Sequence, residues 1–289
     1  MHLVEAKGLL SAQNGINIYR GCTHGCIYCD SRSNCYQMNH DFEDIEVKLN
    51  APDLLEAALL KKRKKCMIGT GSMTDPYISI ESMQKLTRRC LEIIDTYNFG
   101  LAIQTKSNKI LRDLDLIKSI NQKAKCVVQI TLTTYDEDLC RLIEPNVSTT
   151  KERFEVLEIM REHQIPTVVW LSPFLPWIND TKENIDGLLD YCVKAKVKGI
   201  LCFGIGLTLR DGNREFFYKN LDRTFPGLKE RYINQYQNSY QIVSPNHESL
   251  MKRIHEVSHR NEIMIDTNQV FEYLHHYESH EYEQIQLNF

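Results

Sequence analysis

The chain has 289 residues, 42% of them hydrophobic and 25% charged, fractions of an ordinary globular protein, and it is long enough to bury a full core without disulfide staples. A net charge of −3 exerts no general pull towards nucleic acid or an anionic membrane. No apolar run is long enough to cross a bilayer and no N-terminal stretch resembles a signal peptide, which, with ten cysteines in no obvious disulfide framework, suits a reducing cytoplasm.

In chain order, INIYRG (16–21) reads as a strand, 51–62 as a helix and CMIGT (66–70) as the second strand. Residues 78–97 carry Ile80, Met83, Leu86, Cys90, Ile93 and Tyr97 at helical spacing and predict one amphipathic helix. GLAIQT (100–105) is strand three, followed by a helix at 109–120; KCVVQITLTT (125–134) is strand four. The helix at 151–163 is announced by Thr149 and Glu152 at capping-box spacing. PTVVWLSP (166–173) is strand five, a helix over 183–195 has Asp180 as its expected cap, and GILCFGI (199–205) is strand six. Parallel sheets are built from such strand–helix units, so the class is α/β, either an open doubly wound sheet or a barrel. After strand six, residues 207–245 are polar and aromatic, 247–261 predict a further helix, and 275–289 read as a polar tail. Domains of 1–206 and 207–289 follow, the second packing on the first.

The unusual residues sit after the strands, where α/β proteins carry their chemistry. GCTHGCIYCD (21–30) spaces Cys22, Cys26 and Cys29 as C-x3-C-x2-C. Gly21 and Gly25 allow the loop a tight path. A structural zinc closes with four ligands, and Cys35 or His24 could supply the fourth. An iron–sulfur cluster held by only three thiolates would instead keep one iron open to a small molecule. The other cysteines, Cys66, Cys90, Cys126, Cys140, Cys192 and Cys202, read as buried free thiols. KKRKK (61–65) reads as cations at a helix end. Arg141 and Glu144 read as a mutual ion pair, Asp75 as either a turn cap or a ribose contact, and Tyr218, Tyr232, Tyr236 and Tyr240 as packing.

The three cysteines, with Tyr28 before the last, reproduce the signature of the radical S-adenosylmethionine (radical SAM) superfamily. TKS (105–107), ITLTT (130–134), RLIEPN (141–146) and SPFLPWIND (172–180) resemble its spore photoproduct lyase-like branch. The resemblance spans roughly residues 14–206 and implies a partial (β/α)6 barrel of TIM type with a C-terminal extension. It implies a [4Fe–4S] cluster on Cys22, Cys26 and Cys29 whose open iron binds S-adenosylmethionine. One electron then cleaves the sulfonium, and a 5′-deoxyadenosyl radical abstracts hydrogen from a substrate. On the same ground Tyr28 approaches the adenine, and Gly69, Thr70, Gly71 and Ser72 meet the methionyl amino group. Lys106 pairs the carboxylate, with Thr131 and Ser172 nearby. The expected partners are S-adenosylmethionine, an electron donor such as flavodoxin or ferredoxin, and an unidentified substrate (nucleic acid, peptide or small metabolite). Spore photoproduct lyases place a hydrogen-donating Cys where this chain has Ser72, and a hydroxyl O–H bond is too strong for that role. The reading from another class is a non-catalytic metalloprotein with a structural zinc or iron–sulfur site.

Overall fold

The computed structural model describes residues 1–280. Six strands form the main sheet: β1 (Gly15–Ile16), β2 (Met67–Thr70), β3 (Gly100–Thr105), β4 (Cys126–Thr131), β5 (Thr167–Trp170) and β6 (Gly199–Leu201). Every neighbouring pair is parallel and the order is β1 to β6 without reversal. A doubly wound sheet would reverse its order at a switch point; this one winds in a single direction, as a barrel does. Among the described residues β1 and β6 do not pair with each other, so the barrel is partial.

The strands are near-continuous apolar runs because both faces are covered. On the outer face, Ile68, Leu101, Ile103, Val128, Ile130, Val169 and Ile200 pack against a helical layer. That layer is α1 (Ala51–Lys61), α2 (Leu86–Thr96), α3 (Leu114–Lys123), α4 (Thr150–Glu162) and α5 (Lys182–Lys194). On the inner face, Met67, Ala102, Val127, Val168 and Leu201 meet Val270 and Leu274. These two come from the last helix, Thr267–His275, which therefore plugs the trough of the half-barrel.

Several local expectations are corrected. The first predicted strand divides: Gly15–Ile16 joins the main sheet, while Tyr19–Arg20 pairs antiparallel with Glu46–Lys48 in a small sheet completed by His2–Val4. The helix expected over 78–97 breaks at Lys85, which is left-handed with φ 52°. The buried Glu81 carboxylate causes the restart, accepting from Thr87 N at 3.0 Å while also bonded to Tyr19 and Arg112. The α5 cap is Thr181, not Asp180. Asp180 accepts instead from Trp177 N and from Ser244, tying the loop after β5 to the C-terminal extension. The Thr149–Glu152 capping box is present. The polar tail expected over 275–289 is ordered at its start, where Lys125 N donates to Glu278 O at 2.9 Å; residues 281–289 lie outside the described residues.

The extension adds helices at Asn213–Thr224, Leu228–Tyr236 and His247–Arg260 and a two-stranded antiparallel ribbon that pairs Gly206–Thr208 with Gln241–Val243. It is fastened to the chain that follows the three cysteines. The Arg32 guanidinium is sandwiched between the rings of Phe42 (4.2 Å) and Phe216 (3.7 Å), and Asn34 N donates to Asp211 O at 2.9 Å. Tyr232, with no exposed surface, packs on Trp177 and Phe217.

The plug helix should carry measurable stability. Leu274→Ala removes a side chain buried to 3% exposure and is expected to lower unfolding free energy by about 2–5 kcal/mol, read as a lower urea midpoint at unchanged slope.

Candidate active site

The loop after β1 holds the three cysteines at the C-terminal ends of the strands. Gly21 and Gly25 take φ of 87° and 71°, a left-handed path that L side chains resist. The loop is sewn to its surroundings by backbone bonds: Cys22 N to Phe42 O (3.1 Å), Ile27 N to Ile143 O (3.0 Å) and Asn146 N to His24 O (3.1 Å).

The donor set distinguishes a cluster from a single ion. Four thiolates on one zinc, each about 2.3 Å from it, would sit within about 4 Å of one another. Among the described residues the three cysteine sulfurs are not gathered within 4.8 Å of one another, wider than a single zinc would draw them. Both candidate fourth ligands are also engaged elsewhere. Cys35 Sγ accepts from Arg210 at 3.2 Å, and His24 Nε2, without a hydrogen bond of its own, has the Asp75 carboxylate as an ion-pair neighbour at 3.1 Å. The residues present thus fit a three-thiolate cluster with one open iron.

One cavity of about 570 Å³ joins the expected residues. Cys22, Cys26, Cys29, Tyr28, Gly71, Ser72, Lys106, Thr131 and Ser172 all line it. Gly69 and Thr70 do not. Thr70 shares the parity of Ile68 and so faces the helical layer, and Gly69 lies deeper in the strand with no side chain to offer. Gly71, at φ 98°, lets the loop after β2 run so close to β3 that a Cβ there would overlap the Gln104 carbonyl.

Behind the cysteines lies a buried charge network. Glu144 pairs Arg153, both with fully buried side chains, and accepts from the Tyr28 hydroxyl. Arg153 also donates to Thr131 O at 2.7 Å. Lys106 Nζ lies 2.9 Å from the Tyr28 hydroxyl, 3.4 Å from Glu144 and 3.6 Å from Cys26 Sγ. Lys106 is therefore no solvated loop lysine. The expected Arg141–Glu144 pair is not formed: Arg141 is exposed on Asp138, because its helix turns it to solvent while Glu144 turns inward. Burial alone would raise the Glu144 carboxyl, but Arg153 and Lys106 hold it down at about 2. Burial pushes the Cys26 thiol up to about 12 against the pull of Lys106. Burial opposes the Lys106 ammonium, yet Cys26, Tyr28 and Glu144 outweigh it and raise its pKa.

Asp75 caps its turn, accepting from Tyr77 N at 2.8 Å, and also binds Lys106 N and the Thr105 hydroxyl. The segment 207–245 covers the barrel mouth and lines the far wall through its two ends, while the contributions of β5, β6 and His247 had no sequence signal. That wall comprises Trp170, Phe203 and Ile205 from the ends of β5 and β6, the ribbon residues Leu207, Thr208, Gln241, Ile242 and Val243, and His247. His247 Nδ1 accepts from Ile205 N at 3.2 Å, which leaves the neutral ring its proton on Nε2. Arg210 is outside the cavity lining; it donates to Cys35 Sγ and the Tyr240 hydroxyl, with Asp30 as an ion-pair neighbour at 3.4 Å.

The sheet is thus a curled parallel half-barrel whose first loop presents three thiols to a cavity at the strand ends. The chain belongs to the Radical SAM superfamily, whose family model matches residues 16–192, more than half of its length, and it is a radical SAM enzyme. Among curated proteins it is similar to the uncharacterized protein Rv2578c of Mycobacterium tuberculosis (29% identical over 245 residues, covering 83% of this chain and 72% of that one). It is also similar to the uncharacterized protein MJ0683 of Methanocaldococcus jannaschii (34% over 172 residues, 59% and 63%). Among solved structures, spore photoproduct lyase complexed with dinucleoside spore photoproduct superposes with a TM-score of 0.67 at 13% identity, covering 91% of this chain and 80% of that one. The radical S-adenosylmethionine methyltransferase TsrM from Kitasatospora setae, with cobalamin and a [4Fe–4S] cluster bound, gives 0.59 at 13% (88% and 54%). These likenesses show the partial-barrel fold. No helix among the described residues is long and apolar enough to cross a membrane.

Because Glu144 is depressed from 4.5 to about 2, its contribution to stability is complete above about pH 4.5 and is lost as pH falls towards 2. Glu144→Gln is expected to cost about 3–5 kcal/mol at pH 7, since it strands the buried Arg153 charge. It should also flatten the acid dependence of unfolding between pH 4.5 and 2. A variant as stable as the wild type in urea at pH 7 would show the pair to be dispensable.

Proposed function

We propose that Cys22, Cys26 and Cys29 hold a [4Fe–4S] cluster and that the cavity binds S-adenosylmethionine on its open iron. The observation that carries this reading is the convergence of the three thiols with Lys106, Ser72, Thr131 and Ser172 on one cavity, with Cys35 and His24 drawn elsewhere. A cluster held by these three thiolates and given one electron would supply reductive cleavage of the S-adenosylmethionine sulfonium and, through it, hydrogen abstraction from a substrate.

The chain's own residues bind, orient and exclude water. The loop after β2, through Gly71 and Ser72, offers backbone and hydroxyl partners to the methionyl amino group. Lys106 presents an ammonium, suited as a point charge to the methionyl carboxylate, with Thr131 and Ser172 beside it. Tyr28 fixes Lys106 by its hydroxyl and lends backbone to the adenine side. The far wall of Trp170, Phe203, His247 and Gln241 receives the substrate. Among the described lining residues no thiol other than the three cluster ligands faces the cavity, and Ser72 stands where a hydrogen-donating Cys would be. This supports a reaction other than one in which a cavity thiol returns hydrogen to the substrate. An external one-electron donor such as flavodoxin or ferredoxin serves the cluster.

Anaerobic reconstitution should give a brown protein with about four irons that forms 5′-deoxyadenosine with dithionite. Cys22→Ala, Cys26→Ala and Cys29→Ala should each lose cluster and activity, whereas Cys35→Ala keeps both; one bound zinc and no colour would support the structural-metal reading. Lys106→Ala should retain the cluster and weaken S-adenosylmethionine binding about ten- to a hundredfold by titration, the loss of a charge-assisted bond of about 1.5–3 kcal/mol.

A further inference from the structure

Next to the cysteine loop and outside the cavity lining, His2, His40 and Asp44 bring two imidazoles and a carboxylate together. One donor atom of each lies within 4.8 Å of the others. The frame is rigid. His2 opens the strand that pairs in parallel with Glu46–Lys48, in register with Glu46, and its N–H donates to Ile45 O at 3.0 Å. Asp44 immediately precedes Ile45. His2 Nδ1 lies 2.9 Å from Asp44 Oδ2, and the His2 and His40 rings meet edge-on with centroids 4.7 Å apart.

His40 supplies the second observation. Its Nδ1 bonds the Asp41 carbonyl at 3.0 Å. A carbonyl only accepts, so the proton sits on Nδ1 and Nε2 of the neutral ring carries a lone pair. That Nε2 is buried and has no hydrogen-bond partner, on a side chain 13% exposed, with Glu46 Oε2 3.9 Å away. A metal-ligating imidazole shows this pattern, one nitrogen tied to a carbonyl and the other free for the ion.

We propose that His2, His40 and Asp44 form a site for a borderline divalent cation, Zn²⁺ in the first place, with Glu46 or water completing the shell. Two imidazoles and a carboxylate are a zinc donor set, whereas magnesium and calcium take oxygen ligands. The ion would pin the 37–44 segment to the N-terminal strand. That segment backs the cluster loop, since Phe42 O accepts from Cys22 N at 3.1 Å and the Phe42 ring carries Arg32. The site is chemically separate from the three thiols and does not depend on their assignment. The competing arrangement is a plain ion pair: the N-terminal ammonium of Met1 lies 2.6 Å from Asp44 Oδ1.

The test uses untagged protein with its cluster reconstituted and loose metal removed, titrated with zinc sulfate and read by elemental analysis and zinc K-edge absorption. The expected result is one zinc per chain with a nitrogen and oxygen shell, imidazole scattering and no sulfur. Affinity should fall at least tenfold in both His40→Ala and Asp44→Asn, with circular dichroism unchanged in at least one of them. Absence of zinc at equimolar addition, a sulfur shell, or equal affinity in both variants would each overturn the proposal.

Discussion

The interaction on which the site rests is the fully buried pair of Glu144 and Arg153. Taking two charges out of water costs several kcal/mol per ion, and attraction offsets that only when every remaining donor and acceptor is satisfied. Here the satisfying partners come from four different places in the chain. Tyr28 belongs to the cysteine loop, Lys106 follows β3, Thr131 O ends β4, and Arg153 itself sits on α4. A half-assembled version would leave a bare carboxylate in the core. The network is thus close to all-or-none, and it couples the position of the cysteine loop to the closure of three strand–helix units.

A second set of contacts holds the site from the other side. Arg32 between two aromatic rings, Asp30 and Cys35 on Arg210, and Asp180 on Ser244 link the extension to the cysteine loop and to the loop after β5. The cavity's near wall is therefore made by the barrel and much of its far wall by the antiparallel ribbon of Gly206–Thr208 and Gln241–Val243. Under the proposed function, cofactor chemistry and substrate choice would fall to different parts of the chain, which suits a superfamily that applies one initiating reaction to many targets.

The barrel strands and the cysteine loop were legible in the sequence because their signals are local. Apolar runs bounded by Gly and polar turns mark buried parallel strands, and the Thr149–Glu152 spacing marks a cap. Non-local partners were not legible. Glu144 lies near Arg141 in sequence, but its charge is answered by Arg153 one helix later. The available signal was that Arg153 shares a helix face with Val156, Leu157 and Met160, all buried. The break at Lys85 escaped notice because helical spacing continues across it, and only the buried Glu81 explains the restart. Thr267–His275 escaped because its apolar face is two residues wide and its partner is the inner wall of a sheet formed far upstream. The wall made by Trp170, Phe203 and His247 has no compact motif, being assembled from two strand ends and a helix start.

That last helix bears on how the molecule is made. Chains emerge from the ribosome N-terminus first, so all six strands are synthesised before the element that covers their inner face. Until Val270 and Leu274 arrive, Met67, Ala102, Val127, Val168 and Leu201 form an apolar trough open to water. A nascent or prematurely terminated chain is in that state a natural client for chaperones, and the trough is the surface by which two such chains would stick together.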